Sequence, residues 1–126
     1  MYSNNNRPVF LDLTRIRFPV TALASIGHRI SGAMLFLSLP AVLYLFGLSL
    51  QSAADYARVT ALLSSTPLKL LAILYSWSLA HHLLGGVRHL LVDMEIGVGK
   101  RPARLTAVLV LASGLLALSI SAVAVW

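Results

Sequence analysis

Residues 30–54 read ISGAMLFLSLPAVLYLFGLSLQSAA, 25 positions without a lysine, arginine, aspartate or glutamate. A helix needs roughly 20 apolar residues to cross a hydrocarbon layer about 30 Å thick, so this run is long enough to span. Two further runs without a formal charge follow, 18 residues at 70–87 and 22 at 105–126. Composition points the same way. The 126-residue chain is 58% hydrophobic and 11% charged, with a mean hydropathy of +0.83, whereas a soluble domain carries about a quarter charged residues. The pattern predicts an all-α membrane protein: an arm over 1–18, then three transmembrane helices at about 19–51, 67–94 and 103–126.

The polar start, MYSNNNRPVF, has neither the basic region and short apolar core of a secretory signal nor the Arg- and Ser-rich pattern of a transit peptide. The first span is therefore expected to be retained, and the chain reads as bacterial. Within the arm, helix is disfavoured at Arg7 and Phe18, each of which precedes a proline. Pro19 suits the first position of a helix, since its φ is preset and its missing N–H would be unpaired there. The stretch SLQSAADYARVTALLSSTP reads as a short outer connection with one amphipathic turn, ending at a break at Thr66 and Pro67. The loop MEIGVGKRPAR is punctuated by Gly97, Gly99 and Pro102.

The formal net charge is +6, but the ten basic residues flank the spans and form no single stripe of the kind that binds nucleic acid. Arg7, Arg15, Arg17 and Arg29 precede the first span, Arg58 and Lys69 follow it, and Arg88, Lys100, Arg101 and Arg104 lie between the second and third. Three crossings put the first and last groups on one side, eight positive charges against two. The positive-inside rule makes that side cytoplasmic, with the C-terminus periplasmic and the chain in the bacterial inner membrane. The absence of cysteine excludes disulfides, thiolate zinc sites and Cys-ligated iron–sulfur clusters. Three spans are also few for a transporter built from inverted repeats, so the bundle is expected to be completed by other chains.

Polar residues gather in HHLLGGVRHLLVD, residues 81–93. His82 and His89 are seven residues apart, two turns and nearly one face of a helix, with Gly85 and Gly86 on the same stripe. His82 is six residues from Arg88, about 9 Å of rise, and so lies within the hydrocarbon, where a polar side chain is costly without a partner. A b-type haem would supply one, with His82 as axial ligand, the glycines clearing room for the macrocycle and cationic groups at the mouth meeting the propionates. One helix cannot ligate both faces of a porphyrin, so a second histidine would come from a partner subunit. A hydrogen bond to a neighbouring helix explains His82 about as well, the glycines alone favour helix packing, and Arg88 with Asp93 equally fits an interfacial anchor pair. His81 points about 100° away from His82 and is read as structural.

A second cluster, SIGHRISG, places Ser25, His28 and Arg29 at i, i+3 and i+4, on one face where the first span enters the membrane. A quinone carbonyl needs a hydrogen-bond donor and a neighbour that tolerates negative charge on reduction, and Ser25 with Arg29 would fit. On the residues alone, a snorkelling Arg29 and a Ser25 bonded to its own helix account better for the pattern.

The two clusters together resemble the cytochrome b membrane-anchor subunit of succinate dehydrogenase, respiratory complex II, of the proteobacterial and mitochondrial type. Arg7 and Pro8, then Ser25, His28, Arg29, Ser31 and Gly32, stand where that family has Arg-Pro and Ser-x-x-His-Arg-x-Ser-Gly. His82, Gly86, Arg88, His89 and Asp93 match His-x-x-x-Gly-x-Arg-His-x-x-x-Asp. The resemblance covers nearly the whole chain. It implies that His82 is the axial ligand of haem b, shared with a second membrane-anchor subunit, and that His28, Arg29 and His89 lie near the propionates. It also implies that Ser25 and Arg29 form part of a ubiquinone site completed by the partner anchor and an iron–sulfur subunit, which receives electrons from succinate through a flavoprotein subunit. The chain by itself would have no catalytic activity.

Three rivals remain open on the sequence: a quinol-oxidising fumarate reductase anchor, a non-redox protein whose His81, His82 and His89 line a proton or ion path, and a purely structural anchor.

Overall fold

Prolines and a glycine mark where the long helices begin. In the computed structural model, which describes residues 17–126, the chain forms α1 (Val20–Ser49), α2 (Ala53–Leu63), α3 (Thr66–Asp93) and α4 (Lys100–Val125). Pro19 caps α1, its carbonyl accepting from the N–H of Ala22 at 2.9 Å and of Leu23 at 3.2 Å. Pro67 and Pro102 lie in the first turns of α3 and α4, and Gly99 is the N-cap of α4. First-turn N–H groups have no partner within their helix, so proline loses nothing at these positions. Residues 94–99 reverse the chain with Glu95 at φ 60° and Gly97 at φ 75°. The arm at 1–16, with Arg7, Pro8 and Arg15, falls outside the described residues.

Helices α1, α3 and α4 are each long and apolar enough to cross a membrane, and no strand occurs among the described residues. The outer connection differs from the expected single turn: α2 is 11 residues long. Ser52 makes the difference, its Oγ accepting from the N–H of Asp55 at 3.0 Å, with Arg58 reaching the Asp55 carboxylate at 3.3 Å. A side-chain cap and an acidic residue in the first turn together favour helix. The connection ends at Thr66 and Pro67, which open α3.

Helix α3 runs antiparallel to both α1 and α4. Along the α1–α3 seam, Ser31 meets His82 and Met34 meets Ser78; along the α3–α4 seam, Arg88 meets Thr106 and His81 lies beside Gly114. Most residues buried along these seams are small: Ala24 and Ser31 on α1, Ser78 and Gly85 on α3, Ala107, Val110 and Gly114 on α4. Large apolar side chains face outward, with Phe36 76% and Val123 81% exposed while Ser31 and Ser78 are fully buried. Lipid tails are as apolar as leucine, so burying leucine gains little, and small residues that let backbones approach hold such helices together. The half of the bundle nearest α2 carries an apolar groove of about 490 Å³ between α1, α2 and α3, with no charged side chain in its lining. Polar chemistry is concentrated at the other half.

Candidate functional site

At that half, α1 and α3 exchange imidazoles for glycines. The ring of His82 on α3 packs on Gly32 of α1, where a methyl group would lie 2.7 Å from Cε1. In return, His28 of α1 fills the notch at Gly85 and Gly86, where a methyl group on Gly85 would lie 2.8 Å from His28 Cδ2. The glycines, read from the sequence as room for a macrocycle, make room for His28. Helices that approach this closely can seat one ring in the other's groove only where a Cβ is missing.

The result is an imidazole cluster. His28 and His82 stack with centroids 4.1 Å apart and planes 5° from parallel, and His89 lies 4.9 Å from His28, tilted by 57°. Among the described residues, no three His, Asp or Glu side chains are arranged to hold a metal ion between them. The cluster therefore offers single ligands and no cage.

His82 is the best placed of these. Its Nδ1 lies 3.1 Å from the backbone carbonyl of His28, and a carbonyl only accepts, so Nδ1 carries the proton. The Ser31 hydroxyl donates to the same carbonyl at 2.9 Å and lies 3.5 Å from Nδ1. In the neutral ring this leaves Nε2 as the in-plane lone pair, the form of imidazole that binds a metal while the other nitrogen is held by a backbone carbonyl. A ring stacked on the face of His82 does not obstruct a bond made from its edge.

Ser25, His28 and Arg29 lie within about one turn of α1 and differ in enclosure. His28 turns into the α1–α3 seam, Ser25 is half-buried and Arg29 is exposed one turn beyond it. Arg88 turns towards the start of α4: its Nε–H donates to Thr106 Oγ1 at 3.2 Å and an NH2 group reaches the Ala103 carbonyl at 3.5 Å. Asp93 is exposed.

His81, read as structural, is the most enclosed histidine, at 1% exposed. Its Nε2–H points at the Ala24 carbonyl over 3.4 Å, Trp77 stacks on it at 5.3 Å, and its Nδ1 has no partner among the described residues. A buried acceptor left unpaired costs on the order of 1–3 kcal/mol. Ser31, Gly27, Gly32 and Gly114, which shape the surroundings of both rings, had no role assigned from the sequence. Their signal is small residues at helical spacing, Ala24, Gly27 and Ser31 on α1 and Ala107, Val110 and Gly114 on α4.

Residues 3–122 match the family described as succinate dehydrogenase/fumarate reductase transmembrane subunit. The succinate dehydrogenase cytochrome b556 subunit of Coxiella burnetii (strain RSA 493 / Nine Mile phase I) is 36% identical over 124 residues, which is 98% of this chain and 99% of that protein. The subunit of the same name from Rickettsia bellii (strain RML369-C) is 29% identical over 102 residues, 81% of this chain and 79% of that protein. Matched over nearly its whole length, and with three apolar helices to cross the bilayer, the chain belongs to the succinate dehydrogenase/fumarate reductase transmembrane subunit family.

Proposed function

We propose that this chain is the cytochrome b anchor of a succinate:ubiquinone oxidoreductase, holding haem b jointly with a second membrane-anchor subunit and forming part of the ubiquinone site. The observation that carries the reading is the hold on His82: its Nδ1 lies 3.1 Å from the His28 carbonyl, which fixes the ring and leaves Nε2 as the nitrogen not engaged in that bond. His82 would hold the iron through Nε2, with His28, Arg29 and His89 towards the propionates. When bound, haem b supplies a one-electron carrier beside the quinone.

The remaining chemistry is the chain's own. The Ser25 hydroxyl donates a hydrogen bond to a quinone carbonyl, and the Arg29 guanidinium, one turn away, offsets the negative charge that reduction builds there. Electrons reach this site from the flavoprotein subunit through the iron–sulfur subunit, since a chain without cysteine has no ligands for Cys-held clusters. The basic end of the bundle faces the cytoplasm of a bacterial inner membrane, the side carrying eight of the ten Lys and Arg residues. The names of both relatives favour succinate oxidation over fumarate reduction.

The test is the reduced-minus-oxidised difference spectrum of the detergent-purified complex. Cytochrome b bands are expected. A colourless complex would remove the haem and leave the non-redox reading. The ratio of succinate oxidation to fumarate reduction rates then fixes direction.

A further inference from the structure

One imidazole of α3 has no part in that reading, yet is the most tightly held. His81 is wedged between helices: a methyl group on Gly27 of α1 would lie 2.6 Å from its Nε2, and one on Gly114 of α4 would lie 3.0 Å from its Nδ1 and 3.1 Å from Trp77 Nε1. The ring can move towards neither helix without parting the bundle. Its Nε2–H and the Nδ1–H of His82, adjacent residues about 100° apart on α3, donate to carbonyls of α1 one turn apart, Ala24 and His28. Two attachments to α1 at different azimuths constrain the rotation of α3 about its own axis as well as its register, adding to the contact of Ser78 with Met34. Rotation decides where His82 Nε2 points. Phenylalanine or leucine would fill the space of His81, but neither has an N–H for the second attachment.

We propose that His81 is a positioning residue for His82: a buried wedge between Gly27 and Gly114 whose bond to Ala24 sets the rotation of α3, and with it the plane and direction of the His82 ring. This rests on His82 being a haem ligand. Groups behind a metal ligand orient it and tune the metal, and their loss typically lowers affinity or activity about 10–100-fold.

The test uses the purified complex with three variants: His81→Phe, which keeps bulk without the N–H; His81→Gln, which restores an N–H donor; and Gly114→Ala, which pushes the ring from a helix that supplies no residue to the site. Haem content, the low-spin EPR signal and the haem midpoint potential are read for each. His81→Phe and Gly114→Ala should retain the b-type bands but shift both the EPR signal and the potential, and His81→Gln should return both towards wild type. If His81→Phe fails to assemble, Gly114→Ala and His81→Gln carry the decision. Haem-containing variants with wild-type EPR and potential would overturn the role of His81 while leaving His82 as ligand. A wild-type complex without cytochrome b bands would instead overturn the ligand reading, and the positioning role with it.

Discussion

His28 holds His82 twice, through its backbone and through its side chain. Its carbonyl accepts from His82 Nδ1–H at 3.1 Å, and its ring lies flat on the His82 ring at 4.1 Å. Because His28 itself is seated in the Gly85 and Gly86 notch, the orientation of His82 depends on packing one turn away along its own helix.

His82→Leu should abolish the cytochrome b bands per assembled complex. His81 cannot take over as ligand, because both its ring nitrogens are enclosed between α1 and α4. Unchanged haem bands and EPR signal in the His82→Leu complex would remove His82 from the role.

Gly85→Ala places a methyl group 2.8 Å from His28 Cδ2 and must displace that ring. Overpacking of this kind costs about 1–3 kcal/mol, and a lowered thermal midpoint with an altered haem spectrum is expected. Gly47→Ala is the control, since a methyl group there meets nothing within 4 Å among the described residues. It should leave the spectrum intact and stabilise the helix by up to about 1 kcal/mol.

Ser25→Ala and Arg29→Leu should each abolish electron transfer from succinate to ubiquinone while sparing reduction of a soluble dye, which the hydrophilic subunits carry out. Parallel assays on one preparation separate the outcomes. Equal loss of both activities would mean that the two side chains serve assembly.

Arg88→Leu removes the tie from α3 to Thr106 and Ala103 of α4. Hydrogen bonds from a charged group contribute about 1.5–3 kcal/mol, so thermal stability of the complex should fall. The haem bands should persist, because Arg88 points away from His82. Loss of haem at unchanged stability would return Arg88 to the mouth of the site.

Much of the architecture is local and was legible in the chain. Whether a segment can span a bilayer depends on its length and on the desolvation cost of each side chain in turn, so the runs at 30–54, 70–87 and 105–126 announce three spans before any contact is known. The spacing of His82 and His89 likewise follows from helix geometry alone. The length of the outer helix α2 was harder to read, because its start is fixed by the Ser52 side-chain cap, a local hydrogen bond that the amphipathic pattern alone does not announce.

Tertiary packing decided the rest. A sequence of leucines and small residues has no strong preference for which side of a membrane helix faces its neighbours, since lipid accepts leucine as readily as protein does. The rotation of α1 against α3 is therefore set by where glycines meet imidazoles across the seam. That rotation sends His28 into the Gly85 notch, Arg88 towards Thr106, and His81 into the space between Gly27 and Gly114. The residue types at the site are written in the chain; which carbonyl each imidazole meets and which way its ring points is a property of three helices brought together.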